Sequence, residues 1–422
     1  MLDSSGRSPH SRETRRRARR RARRLAEIAL GCAAIAGGLV VALDARSEPA
    51  AVQSVDDTWP VGATDDVTPA VSPTTAPTTA RPTVTPSARA ADGDRKTVRT
   101  ARRTVRRTAK PGLRAQDDCA QRADLVPGCG TWWGVSPGVD SLATLESEVG
   151  RSFDIVHFWY GVDQVNVPSP PARQLAAQGR ILHVNIASRP FGGSGDARWA
   201  DVAAGRWDAS LARQAQGIAG LRTPVFVTFD HEPDAKPKIN SRGTPEDYVR
   251  AWRHVHDVYT RYGATNAVWT WVLTGYAGNL PRAARFYPGN SYVDWIGWEN
   301  YLGTLCDGRT WEDRRFRTFE ETFLPFYNWL KGDGARAGID PDKPYMLNGM
   351  ASVRFEDPNL SVRWYAQIPR ALSRYPQIKA VQLWQPPKGM ACPYRLMDRP
   401  LEVVAFAHAG QAPYVNPDEL DG

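Results

Sequence analysis

The sequence is poor in the residues that build metal and redox centres. It has five cysteines and seven histidines in 422 residues, and no two cysteines have the Cys-x-x-Cys spacing typical of zinc sites. No glycine-rich phosphate-binding fingerprint follows the first predicted strand, which removes the main support for a dinucleotide-binding fold. We therefore expect neither a bound metal nor a nucleotide cofactor.

The folded part of the chain also lacks an excess of charge. Residues 1–115 hold 22 Lys and Arg against 11 Asp and Glu, whereas the remainder holds 32 against 34. The formal net charge of +9 therefore belongs to the N-terminal arm. A nearly neutral folded region argues against a nucleic-acid surface, so we predict no nucleic-acid partner.

The N-terminal arm has the pattern of an export signal. Eight arginines between Arg15 and Arg24 precede an apolar stretch from Leu25 to Leu43, which predicts a basic cytoplasmic flank at 1–24 and a signal peptide or transmembrane anchor at 25–45. Glu27 interrupts the stretch, which is short for a span, and small residues near Ala42 would permit cleavage. Cleaved signal and retained anchor both stay open. A DNA-binding basic tail is the competing interpretation, and the adjoining apolar stretch disfavours it.

Residues 46–115 have no hydrophobic period and contain a Pro/Thr/Ala-rich stretch followed by a basic cluster, Arg95 to Lys110. This composition predicts a disordered linker, because it cannot bury enough apolar surface to fold. The basic cluster suits contact with anionic wall or membrane polymers, and it suits a solvated linker equally well.

Four cysteines fall in the part predicted to be exported, and an even number in an oxidising compartment suggests two disulfides. Cys119 and Cys129 would close a short loop at the start of the folded domain. Cys306 and Cys392 form the natural remaining pair.

Alternating strand and helix patterns define a predicted domain at residues 116–422. The predicted strands are Thr131–Val135, Asp154–Tyr160, Ile181–Ile186, Pro224–Phe229, Ala267–Val272, Val293–Trp298, Pro344–Leu347 and Lys379–Trp384. The clearest predicted helices are Ser210–Leu221, Pro245–Tyr262, Phe319–Leu330 and Ser361–Tyr375. Eight strands alternating with helices predict a single (β/α)₈ TIM barrel. A doubly wound open sheet is the alternative.

The fourth predicted strand ends in the most informative stretch of the chain. A short apolar run from Pro224 to Phe229 gives way to Asp230, His231, Glu232 and then Pro233. Because α/β barrels place their chemistry at the carboxyl ends of strands, Glu232 is the first candidate for a catalytic acid. The alternative is that these ionisable residues only cap the following loop.

Other strand ends supply a mixture of carboxylates, amides and aromatic rings. The set consists of Arg189, Asp230, His231, Glu232, Trp271, Glu299, Tyr301, Trp384 and Gln385. Such a mixture indicates a sugar site, where aromatic faces stack on pyranose rings and polar groups bind hydroxyls. Core packing is the alternative for each tryptophan, and a hydrogen-bonded barrel rim is the alternative for Glu299.

These residues also carry a resemblance to a known family. The pieces are Phe229–Pro233, Gly243–Tyr248 leading into Ala251–Val255, Gly263–Asn266 before Val268–Trp271, Tyr287–Gly289 before Tyr292–Gly297, Lys343–Leu347, and Lys379–Val381 leading to Cys392 and Arg395–Leu396. The region from about Trp132 to His408 resembles glycoside hydrolase family 26, the β-mannanase family, in its actinobacterial extracellular form.

The resemblance implies a barrel, no cofactor, β-linked polysaccharide such as mannan or glucan as partner, and hydrolysis with retention of configuration. In a retaining mechanism, two carboxyl groups about 5–5.5 Å apart act as acid/base and nucleophile. Glu232 matches the acid/base and His231 its neighbouring histidine. Trp271 matches a strand-five aromatic, and Tyr301 matches a tyrosine that contacts the nucleophile. Trp384 is expected to shape the same substrate site.

The nucleophile position departs from the family pattern. After strand seven the family has a glutamate, and Gly349 stands at that position here. Glu299 is the best substitute; Glu356 and Asp357 lie farther along the chain. A separation of about 6.5–9.5 Å between Glu299 and Glu232 would suit an inverting hydrolase. A catalytically impaired glycan-binding or wall-associated protein is the competing function, and an unusual substrate handled by another route is a third.

Overall fold

The computed structural model describes residues 123–137, 142–193, 195–303, 316–388 and 394–416. The predicted flank, anchor and linker at residues 1–115 lie outside this part. None of the helices within it combines the length and hydrophobicity that crossing a membrane requires.

Eight parallel strands close into a barrel in which each strand pairs with the next along the chain and β8 pairs with β1. The strands are β1 Trp132–Pro137, β2 Ile155–Gly161, β3 Ile181–Ala187, β4 Val225–Phe229, β5 Ala267–Leu273, β6 Trp295–Leu302, β7 Tyr345–Ser352 and β8 Ile378–Gln385. The predicted TIM barrel is confirmed, and the open-sheet alternative is excluded because the sheet has no free edge.

Helices surround the barrel in the described part of the chain. They are α1 Leu142–Val149, α2 Pro170–Ala177, α3 Trp199–Ala203, α4 Asp208–Ala219, α5 Lys236–Arg242, α6 Pro245–Arg261, α7 Leu280–Ala283, α8 Phe319–Trp329, α9 Pro358–Ala366, α10 Ile368–Arg374 and α11 Pro400–Gly410. Thr244 caps α6, with its hydroxyl accepting from the Asp247 amide in a capping box.

The prediction of one continuous helix at Ser361–Tyr375 is wrong, because the structure has two helices there, α9 and α10. Pro369 occupies the first turn of α10. A proline lacks the amide proton that a continuous helix would need at this point, and its ring clashes with the preceding turn. The chain therefore breaks at Gln367 and restarts.

The barrel interior changes character along its axis. An apolar plug fills the end where the strands begin; it consists of Leu125, Ile155, Ile181, Phe226, Val268, Trp295, Met346 and Ala380. Above it lies a polar layer in which His183 bonds to Thr228 at 2.9 Å and to Gln382 at 2.8 Å. The larger core fills the space between the strands and the helices. The apolar plug closes one end, so only the carboxyl end of the barrel offers polar groups to a ligand.

Candidate active site

The exit of β4 delivers Glu232 through two unusual backbone conformations. Asp230 and Glu232 both have positive φ, at 45° and 52°, a region that residues other than glycine rarely adopt. The Glu232 amide donates to the Val272 carbonyl at 2.9 Å, and the Asp230 amide donates to the Ile186 carbonyl at 2.8 Å. The turn is therefore tied to the strands on both sides of β4.

Asp230 is a buried anchor for this turn. Its carboxylate accepts from Ser188 Oγ at 2.5 Å, from Trp199 Nε1 at 2.6 Å and from Arg242. Lys238 Nζ lies 3.5 Å from the same carboxylate. The alternative considered from the sequence, that these ionisable residues only cap a loop, does not describe Asp230, which is fully buried and bonded across several elements.

His231 lies between the acid/base candidate and an aromatic wall. One ring nitrogen is 3.8 Å from a Glu232 oxygen, and its ring packs edge-on against Trp159 at 4.3 Å. Burial, followed by the nearby positive charge of Lys238, holds the pKa of His231 well below its usual value. The imidazole is therefore neutral at neutral pH.

Glu299 reaches into the space beside Gly349 where the side chain of a larger residue 349 would lie. A Cβ built on Gly349 would lie 2.1 Å from Glu299 Oε2 and 2.6 Å from the Tyr301 hydroxyl. Both distances are far below normal contact, so the Glu299 carboxylate occupies the position where a larger residue 349 would begin. The absence of a side chain at Gly349 is what makes room for Glu299.

The two candidate carboxylates come close together. Ligand atoms of His231, Glu232 and Glu299 all lie within 4.8 Å of one another, and all three residues are buried. Carboxylate oxygens this close are nearer to the ~5–5.5 Å of a retaining pair than to the ~6.5–9.5 Å of an inverting pair. The separation considered for an inverting enzyme is therefore not met. The same three side chains are close enough together to act as ligands of a metal ion.

Tyr301 and Asn348 hold Glu299 in place. The Tyr301 hydroxyl is hydrogen-bonded to Glu299, and Asn348 Nδ2 donates to Glu299 Oε1 at 2.7 Å. Burial, then the charges of Glu299 and Glu232, raises the pKa of Tyr301 well above its usual value. Tyr301 therefore keeps its proton and remains a donor.

A narrow cleft opens over this cluster. Its lining consists of Ser136, His157, Trp159, His231, Glu299, Tyr301, Asn348, Gly349 and Trp384. Trp384 packs edge-on against Tyr301 at 5.7 Å, so the structure places both of these predicted residues in the cleft. Glu299 faces the cleft and is also hydrogen-bonded by Asn348 and Tyr301, so the alternative of a carboxylate hydrogen-bonded in the barrel rim stays open.

The structure does not place Trp271 in the cleft. Its side chain is fully buried, lies on the helical side of β5 and packs against Tyr287 at 4.9 Å. Successive side chains of a strand point to opposite faces of the sheet. Val268 points inward, into the barrel plug, so Trp269 and Trp271 point outward, toward the helices. Trp271 is a core residue, as the alternative interpretation of the tryptophans held.

Two other sequence candidates have different roles. Asp357 caps α9 by accepting from the Asn359 amide at 3.0 Å, and Glu356 is exposed. Neither lines the cleft. Cys129 is disulfide-bonded, but Cys119, Cys306 and Cys392 lie outside the described residues, so the predicted pairing stays a prediction.

Sequence reasoning missed four residues of the cleft. His157 and Trp159 alternate along β2 and so share its inner face, a signal that the strand pattern could have provided. Ser136 lies on the inner face of β1 by the same alternation, because Trp133 and Val135 belong to the outer core. The same alternation applies to Asn348, which lies two positions after Met346 of the barrel plug. The bulge of β7 adds Gly349 to the cleft, and no period describes that step.

Comparison with known proteins agrees with the barrel. Residues 208–320 match the sequence model of glycosyl hydrolase family 26. This family-26 region is about a quarter of the chain and contains Glu232, Glu299 and Tyr301. It ends before Gly349.

Individual relatives are distant. The chain is 27% identical over 210 residues to a protein named endoglucanase H from Acetivibrio thermocellus, a match that covers 48% of this chain and 22% of that protein. The match thus spans about a fifth of the length of that curated relative.

Among solved structures, the catalytic domain of an endo-β-1,4-mannanase from Bacillus sp. JAMB-750 has 16% identity and a TM-score of 0.50, covering 68% of this chain and 86% of that one. A β-mannanase from Bacteroides ovatus has 16% identity and a TM-score of 0.49, with coverage of 68% and 87%. At this identity, the first of these likenesses supports the fold alone.

Proposed function

We propose that this protein is a retaining glycoside hydrolase of family 26 that acts on β-linked polysaccharide of the mannan or glucan type. Glu232 is the acid/base and Glu299 is the nucleophile. The observation that carries the proposal is the Glu299 carboxylate, which fills the space beside Gly349 and lies within 4.8 Å of Glu232.

The reaction follows from these two carboxyl groups. Glu232 donates its proton to the glycosidic oxygen while Glu299 attacks the anomeric carbon, so that the bond to the leaving sugar breaks and a glycosyl ester forms. Glu232 then takes a proton from water, and that water attacks the same carbon and releases Glu299. Tyr301, which stays protonated, donates to Glu299 and orients it. Trp159 and Trp384 supply aromatic walls for the sugar.

The experiment is hydrolysis of β-1,4-mannan, glucomannan and β-1,3-1,4-glucan by the full chain, with Glu232→Gln, Glu299→Gln and Glu356→Gln as variants. We expect the first two to lose about 10³-fold or more in kcat/KM. Glu356→Gln is the matched control and should retain full activity, because Glu356 is exposed and outside the cleft. Product stereochemistry by proton NMR should show retention, and a 2-deoxy-2-fluoro glycoside should label Glu299.

The competing function is binding of glycan without turnover. The observation that favours it is Gly349, since the family's nucleophile is missing from its usual strand. If the wild type binds mannan with an affinity that Glu232→Gln does not change, and hydrolyses none of the panel, the protein is a glycan-binding protein and the hydrolase proposal is wrong.

We also propose that the protein is exported, either released or tethered to the membrane through residues 25–45. The support is the arginine-rich flank followed by the apolar stretch Leu25 to Leu43. Cell fractionation combined with mass spectrometry of the N-terminus separates the two forms. A full-length chain in the cytoplasm would contradict export.

A further inference from the structure

Strand β7 contains a bulge at Asn348. On the β6 side, Trp298 pairs with Leu347 but Glu299 pairs with Gly349, so Asn348 is left over between them. On the β8 side, the register shifts in the same place, between Leu347 and Met350. A bulge re-aims side chains next to active sites. Here it brings two successive residues, Asn348 and Gly349, into the lining of one cleft.

The two ends of the Asn348 amide have different surroundings. Its Nδ2 donates to Glu299 Oε1 at 2.7 Å. A carboxylate only accepts hydrogen bonds, so this contact fixes which end of the amide is nitrogen. Among the described residues, the Oδ1 atom at the other end has no partner, although Asn348 is only 2% exposed. A buried acceptor without a donor is unfavourable, and it favours a ligand that brings one.

The chemistry of the substrate identifies that donor. Glu299 attacks the anomeric carbon C1, and the hydroxyl on C2 is one bond away from the reacting centre. An amide bonded to the attacking carboxylate therefore lies beside this hydroxyl when the sugar is in place. We propose that Asn348 positions Glu299 through its nitrogen and accepts the substrate's 2-hydroxyl through its oxygen. This inference rests on the proposed function.

Such a contact would couple recognition of one hydroxyl to the chemical step. Hydrogen bonds to the 2-hydroxyl of a glycoside strengthen as the transition state forms. Asn348 would therefore raise kcat/KM for substrates that carry this hydroxyl, and it would raise kcat/KM much less for substrates that lack it. The group that recognises the sugar would be the same group that orients the nucleophile.

The test is a cycle of two enzymes and two substrates. The kcat/KM of the full chain and of Asn348→Ala is measured on 4-nitrophenyl β-mannoside and on its 2-deoxy analogue. We expect Asn348→Ala to lose about 100-fold on the parent substrate and at least about 10-fold less on the 2-deoxy analogue. The intrinsic reactivity of the 2-deoxy compound cancels in the cycle.

A pH profile gives a second readout. Loss of a donor to an ionised carboxylate disfavours the charged form, so the acid limb of kcat/KM should move to higher pH in Asn348→Ala. Equal losses on both substrates, or an unmoved acid limb, would overturn this inference and leave the proposed function intact. Full activity of Glu299→Gln, or no hydrolysis by the wild type, would instead overturn the proposed function. Thermal denaturation confirms that the variant is folded.

Discussion

The two sides of the candidate site are held in different ways. At the exit of β4, Asp230 is surrounded by Arg242, Lys238, Ser188 and Trp199, and all five residues are buried. Across the cleft, at β6 and β7, Glu299 accepts from the uncharged side chains of Asn348 and Tyr301.

The two sides differ in the backbone conformation that these contacts must hold in place. The β4 side has a strained backbone at Asp230 and Glu232, and strain of this kind persists only where surrounding contacts determine it. The β6 and β7 side has a bulge, and the hydrogen-bond donors to Glu299 there are uncharged. We infer that the acid/base is built into the framework, whereas the second carboxylate can be supplied from a neighbouring strand.

Asp230→Asn tests the framework side and should have the largest effect on stability. It leaves Arg242 and Lys238, each at most 2% exposed, next to an uncharged amide. Breaking a buried ion pair in this way costs about 3–5 kcal/mol, and asparagine tolerates the positive φ of the native residue. Urea denaturation measures the loss. Glu246→Gln, which removes a pair with Arg285 on the exposed surface, should leave the midpoint nearly unchanged. A midpoint in Asp230→Asn equal to that of the wild type would contradict the comparison.

Gly349→Ala tests the other side and should affect activity more than stability. The added Cβ would stand 2.1 Å from Glu299 Oε2 and must displace the carboxylate. Misplacing a reacting group by about 1 Å can cost ~100-fold, and we expect a loss in kcat/KM of that order. Gly332→Ala is the matched control, because nothing lies within 4 Å of a Cβ built there.

Restoring the family's residue sharpens the same comparison. Gly349→Glu would place a second carboxylate in the space that Glu299 already fills, so it should also lose activity. A Gly349→Glu variant more active than the wild type would show that Glu299 is not the nucleophile.

His157→Phe changes a buried residue that lines the cleft between the two sides. Its expected effect on stability is the smallest of these predictions. His157 stacks on His183 at 4.1 Å and on Trp159 at 4.6 Å. Burial, then the neighbouring His183 and His231, lowers the pKa of His157 well below its usual value.

The sign of the pH effect follows from that lowered pKa. As pH falls below about 6.5, the unfolded chain binds a proton at residue 157 that the folded protein does not, so the wild type loses stability. Between pH 7 and pH 5 this loss is about 2 kcal/mol larger in the wild type than in His157→Phe. Denaturation at the two pH values measures the difference, in which other ionisable groups cancel. An identical pH dependence in both proteins would show that His157 is protonated in the folded state.

From the sequence we could predict the barrel, with an open sheet as the alternative, and the acid/base candidate. Eight apolar runs separated by helical patterns have one well-known closed solution, and Glu232 follows directly from its place after β4. The face of each strand was less secure. Trp271 was predicted in the cleft but lies in the outer core. The prediction failed because the type of a single residue does not reveal which face of a buried strand its side chain occupies.

Only the tertiary structure decided how the second carboxylate reaches the site. Glu299 and Gly349 are 50 positions apart in sequence and become neighbours through pairing of β6 with β7. No sequence pattern predicts the bulge at Asn348 and Gly349, because the bulge arises from the hydrogen bonding of β7 with its neighbouring strands. Local sequence patterns determine strands and helices. The fit of the Glu299 carboxylate into the space beside Gly349 depends on two neighbouring strands and is visible only in the folded structure.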